Sequence, residues 1–164
     1  MLVIIDLLGK GLWAGIAAIG FAILFNVPQR ALTPIWFLAA LGTIVKYTMM
    51  HFGLSIILGS FIGSVSVGIC ALYTARHFYA PPLVFSIPSV IPMIPGAFTY
   101  NMMLGFIKLS NLTDSSQYID TLSFTTNNGL KALFILMGLA TGVAIPMLLA
   151  RKESIKNIEH NKTK

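Results

Sequence analysis

This chain is short of charge and nearly free of cysteine. Of 164 residues, five are Asp or Glu and eleven are Lys or Arg, 10% in all, against about a quarter in an ordinary soluble domain. With 56% hydrophobic residues and a mean hydropathy of +0.83, that scarcity excludes a water-soluble globule, which could not hide so much apolar surface. The single cysteine, Cys70, excludes an internal disulfide and a multi-cysteine metal site. His51 and His77 stand at predicted helix ends with no second ligand nearby in sequence. No metal or cofactor is therefore expected. No embedded Ser/His or paired-carboxylate arrangement appears, and acid–base catalysis needs such a positioned pair, so no enzyme is expected. The net charge of +6 does not point to nucleic acid, since five of the eleven basic residues fall in 151–164, beside an apolar segment.

The longest absence is the most telling. From His77 to Ile107 there is no Asp, Glu, Lys or Arg, yet Pro88, Pro92, Pro95 and Gly96 sit in the middle of this stretch. In hydrocarbon, a helix satisfies its backbone only through its own hydrogen bonds. Each proline removes one such bond, here the donors for the carbonyls of Val84, Pro88 and Ile91. Broken backbone is tolerated at membrane depth only where protein or a wet cavity supplies other partners, which is how transporters build solute sites.

What is present is a series of apolar runs, each near the roughly 20 residues that a spanning helix needs. The reading is an all-α integral membrane protein of about five transmembrane helices, the fourth broken by Pro/Gly. The spans run at about 6–25, 35–52, 54–75, 83–107 and 130–150. A polar loop is expected over 108–128, and a basic cytoplasmic tail over 151–164 follows the 1–150 membrane domain. The N-terminal Met-Leu-Val-Ile-Ile-Asp lacks the basic region of a signal peptide and reads as the start of a retained span.

Charge placement orients the chain. One side receives Arg30, Arg76 and the tail, and the other Asp6, Lys10, Lys108, Asp114, Asp120 and Lys131. Basic residues in short loops mark the cytoplasmic face, so the C-terminus is placed inside and the N-terminus outside. A four-span alternative lays 35–52 on the membrane surface, because Lys46 weakens insertion there by about 3 kcal/mol.

Several residues could touch a solute. Pro88, Pro92 and Pro95, four and three apart, share a helix face with Thr99. A second half-helix starting near Ala97 would present its N-terminal N–H groups to a carboxylate. The side chains of Thr99, Tyr100 and Asn101 would add hydrogen bonds. Lys46, the one Lys or Arg between Ala31 and Ala75, either pairs with a substrate carboxylate in a cavity or snorkels to the interface. Lys10 and Lys131 are expected to snorkel. Gly59 and Gly63, and later Gly138 and Gly142, form GxxxG pairs that let helices approach closely. They serve either packing within the chain or a homo-oligomer joined through small-residue faces.

The stretch Val84-Phe85-Ser86-Ile87-Pro88-Ser89-Val90-Ile91-Pro92-Met93-Ile94-Pro95-Gly96 resembles the signature of the threonine/serine exporter family, in its small YjjB-type subunit. Phe25-Asn26-Val27-Pro28-Gln29-Arg30-Ala31-Leu32 and Ala144-Ile145-Pro146 are similar to further parts of that family. The resemblance implies a bacterial inner-membrane exporter of a small amino acid or a dicarboxylate such as succinate. It also implies a larger membrane subunit as partner, and it places functional weight on Pro88, Pro92, Pro95, Gly96, Asn26, Pro28 and Arg30. The other reading is a non-transporting subunit that stabilises a larger membrane complex.

Overall fold

A computed structural model describes residues 2–111 and 115–162. Among them there is no strand. Six helices follow in order: α1 Leu2–Leu24, α2 Leu32–His51, α3 Ile56–Phe78, α4 Pro82–Val90, α5 Gly96–Asn111 and α6 Ser115–Lys162. Short 3₁₀ turns at Gln29–Ala31 and Ile91–Met93 link α1 to α2 and α4 to α5. Four helices are long and apolar enough to cross a membrane. A fifth crossing arises if the pair Pro82–Met93 and Gly96–Ser110, bent by 55°, acts as one span.

Three links are capped in the same way. Asn26, Gly53 and Tyr79 have φ of 56°, 87° and 51°. At the end of α1, Val27 N–H reaches the Ala22 carbonyl and Asn26 N–H the Ile23 carbonyl. This paired closure satisfies the last carbonyls of a helix and needs a left-handed residue at its corner. Asn26 is one of the few non-glycine types that adopts this conformation readily.

Helix directions follow from which residues meet. A Cβ built at Gly11 would meet Ile44, and one at Gly15 would meet Trp36, so α1 and α2 are antiparallel. Gly59 lies against the backbone of Lys46 and Gly63 against that of Gly42, so α2 and α3 are antiparallel. Gly138 faces Phe61, Gly142 faces Ser64 and Gly68 faces Pro146. Helices α3 and α6 therefore run parallel. The chain leaves α3 at one face of the bundle and enters α6 at the other, so the bent α4–α5 pair must carry it across. A re-entrant hairpin would return it to the wrong face. The packing of α2 between α1 and α3 argues against the expected alternative with 35–52 lying on the surface.

The main core joins α1, α2, α3 and α4 through Ala18, Ala22, Ile35, Ala39, Val67 and Phe85. A smaller cluster of Met93, Ile135 and Leu139 ties the bend to α6. The small-residue faces are spent inside the chain. Gly59 and Gly63 are buried against α2, and Ser64 Oγ donates to the carbonyls of Phe61 and Gly138 at 2.8 and 3.3 Å.

One expectation fails. The segment 108–128 is not an extended polar loop: α5 continues to Asn111 and α6 begins at Ser115. The polar side chains there serve the helix. Thr125 Oγ1 donates to the Thr121 carbonyl at 2.6 Å and Asn128 Nδ2 to the Phe124 carbonyl at 2.8 Å. Such bonds to the preceding turn hide polarity, and the hydroxyl of Thr125 faces Gly105 of α5. The apolar part of α6, Gln117–Ala150, has 34 residues. At 1.5 Å per residue it is about 50 Å long, so it overshoots a hydrocarbon layer of about 30 Å.

Candidate functional site

The bend begins with proline chemistry. Pro88 is buried inside α4, and Pro92 is the middle residue of the 3₁₀ turn. Ile94, the residue before Pro95, is extended at φ −59° and ψ 137°, as the ring of a following proline demands. The carbonyl that Pro95 leaves without a helical donor, that of Ile91, accepts instead from Ile94 N–H at 3.0 Å. Pro95 O accepts from both the N–H and the hydroxyl of Thr99 at 3.2 Å. The helix is therefore broken between Met93 and Gly96 and restarts at once.

One further carbonyl of the break is served from outside its own segment. Lys46 Nζ, on α2, donates to Met93 O at 3.0 Å. The lysine is only 6% exposed. It does not snorkel: its ammonium turns inward and joins α2 to the bend. Charged groups at membrane depth are costly unless paired or facing a polar cavity, and both conditions hold. Lys46 lines a cleft of about 510 Å³, between α1, α2 and the bend, together with Asp6, Lys10, Thr43, Tyr47 and Pro92.

The cleft is graded in polarity. Near the start of α1, Lys10 Nζ bonds Asp6 Oδ2 at 2.6 Å and lies 4.5 Å from the centre of the Tyr47 ring. Lys46 Nζ lies 5.8 Å from the same ring, so both ammonium groups are near one aromatic side chain. Farther in, Thr43 is 5% exposed, and its Oγ1 has no hydrogen-bond partner among the described residues. Two cations, one carboxylate and the Tyr47 phenol thus line the cleft, with the buried Thr43 hydroxyl at its wall. The cleft suits a small solute carrying a carboxylate, and the Asp6–Lys10 pair can answer a second charge of either sign.

Of the residues expected to touch solute, Lys46 and Pro92 meet in this cleft. Pro88 and Pro95 shape the bend from buried positions. Gly96, Thr99, Tyr100 and Asn101 lie on α5, outside the residues that line the cleft. Gly96 has open space around the position of a Cβ, so no close approach explains it. Asn26, Pro28 and Arg30 lie at the link after α1. Asn26 forms the helix cap described above, Pro28 O accepts from Ala31 N–H at 2.8 Å, and Arg30 is exposed. Thr43, Asp6 and Tyr47 were missed as site residues, and Lys10 was expected to snorkel alone. The signal for two of them was present as spacing: Thr43 lies three residues before Lys46 and Asp6 four before Lys10, which are helix-face neighbours.

A second groove, of about 500 Å³, runs between α4 and α6. Its lining, which includes Leu83, Ile87, Ile91, Leu136 and Val143, is apolar apart from Ser86, so it suits an acyl chain or another apolar surface.

The family model described as "Threonine/Serine exporter, ThrE" matches residues 10–149. An uncharacterised protein of Haemophilus influenzae is 30% identical over 145 residues, which are 88% of this chain and 48% of the relative. The chain thus spans about half the length of that relative. No solved structure matches.

Proposed function

The chain belongs to the threonine/serine exporter family, and from that premise we propose that it is one membrane subunit of a secondary exporter of small amino acids or carboxylates, acting with a larger subunit. It is a multi-pass membrane protein of a transporter family. The observation that carries the finer reading is the buried ammonium of Lys46, which joins a broken span to a polar cleft. A bend is where one half-helix can swing against the other, and a site beside it is exposed to alternate faces as it swings. No covalent step is needed. Threonine, serine and succinate each carry the carboxylate that Lys46 would meet.

The larger subunit is argued from length. The Haemophilus relative holds about as much chain again as the matched part, and the apolar α4–α6 groove offers a surface for further membrane-embedded chain. In the orientation that charge placement favours, Arg30, Arg76 and the tail face the cytoplasm of a bacterial inner membrane, and the cleft mouth with Asp6 and Lys10 faces outward. The rival reading, an assembly subunit without transport, relies on small-residue faces that here pack within the chain itself. The test is efflux of labelled threonine, serine and succinate from cells with and without the chain. Faster loss of at least one of them in cells that carry it supports export. Equal rates for all three would overturn it.

A further inference from the structure

Three buried hydroxyls lack a hydrogen-bond partner among the described residues: Thr43, Ser60 and Ser86. Ser86 lines the apolar α4–α6 groove, with no charge among the residues around it. Thr43 differs. It shares a polar cleft with Lys46, and the two are three residues apart on α2, so their side chains leave the same helix face. A buried hydroxyl without a partner is a standing cost to the fold. Valine has the same shape and would remove that cost. The hydroxyl therefore has no stability reason to be there.

Lys46 has matching spare capacity. An ammonium has three N–H donors, and one reaches Met93 O. A carboxylate has two oxygens. Resting on this exporter reading, we propose that Thr43 and Lys46 form a two-point clamp for the carboxylate of the transported solute. Lys46 donates to one oxygen while keeping its bond to Met93, and the Thr43 hydroxyl donates to the other. The clamp sets the solute against the bend through a single side chain, since Lys46 holds both. The Asp6–Lys10 pair lies at the mouth of the same cleft and meets the remainder of the solute.

The experiment uses the full chain in lipid nanodiscs, as wild type, Thr43→Val and Thr43→Ser. Binding of labelled L-threonine and of succinate is measured, with L-threoninol, in which the carboxylate is reduced to an alcohol, as competitor. Thr43→Val is expected to weaken both ligands about tenfold, the loss of one hydrogen bond to a charged group. Its melting temperature should equal or exceed that of the wild type. Thr43→Ser keeps the hydroxyl and should bind within about threefold of wild type, and L-threoninol should compete poorly. Wild-type affinity in Thr43→Val, competition by L-threoninol equal to that of threonine, or no binding of either carboxylate to the wild type would each overturn the clamp. Efflux from cells carrying the same chains separates the two claims. Binding without efflux overturns the exporter reading and leaves the clamp standing, whereas efflux untouched by Thr43→Val overturns the clamp and leaves the exporter.

Discussion

Two seams of this bundle solve the same problem in opposite ways. Between α3 and α6, glycines 68, 138 and 142 bring the helices into close contact, and the one hydroxyl at the centre, Ser64, donates to carbonyls of both helices. At this contact the Ser64 hydroxyl is satisfied, whereas Ser60, one turn earlier on α3, has no partner among the described residues. Between α1, α2 and the bend the packing opens into a cleft, a charged lysine reaches across to a backbone carbonyl, and a threonine hydroxyl has no partner among the described residues. Without a strong hydrophobic drive between helices in lipid, close packing and interhelical hydrogen bonds hold such a bundle together. The α3–α6 seam maximises both. The cleft forgoes packing and retains polar groups, as the proposed solute site would require.

Substitutions should separate the seams by what they damage. The largest effect is expected at Gly142→Val. A Cβ there would lie 2.9 Å from the Phe61 carbonyl oxygen and would meet the Ser64 side chain, so the helices must part. Overpacking of this kind should cost about 3 kcal/mol and show as loss of monodisperse protein on size-exclusion chromatography. Next comes Lys46→Met. It should lower efflux about a hundredfold, equivalent to about 2.7 kcal/mol, with the chain still present in the membrane. Unchanged efflux in this variant would erase the contrast between the seams.

A smaller effect is expected at Asn26→Ala, which forces a Cβ-bearing residue without a local side-chain hydrogen bond into the left-handed corner after α1. About 1 kcal/mol of stability should be lost, read as a lower melting temperature in detergent, and Asn26→Gly should restore it. If Asn26→Gly instead abolished efflux with a normal melting temperature, the family-like loop would have a role beyond capping. The smallest effect is expected at Gly20→Ala on α1, where a Cβ meets nothing within 4 Å. It should raise stability by about 0.5 kcal/mol, since alanine has less backbone freedom to lose.

Much of the architecture could be read from charge and proline. The scarcity of charged residues located the helices, and Pro92, Pro95 and Gly96 located the break within a residue or two. The segment 115–128 was not legible. Threonine and asparagine resemble a loop in sequence, but here Thr125 and Asn128 bond to their own preceding turn and face a neighbouring helix. The site was legible only in part for a different reason. Lys46 stood out as a charge inside an apolar run, but its partner is the carbonyl of a residue 47 positions away, and a backbone carbonyl has no signature in sequence. Thr43 gained meaning only once the bend was folded onto α2. Thr99, Tyr100 and Asn101 looked suitable because they follow the break, yet the chain turns there and carries them onto α5, away from the cleft.

The central claim is that an ammonium at position 46, in a water-reachable cleft beside the bend, is what transport requires. Lys46→Cys in a Cys70→Ala background tests it, because a thiol there can be given its charge back by aminoethyl methanethiosulfonate or left neutral by methyl methanethiosulfonate. The account predicts little efflux of labelled threonine or succinate from the unmodified variant, recovery with the aminoethyl reagent and none with the methyl one. Wild-type efflux from the unmodified cysteine variant, or a thiol that neither reagent can reach from water, would contradict it.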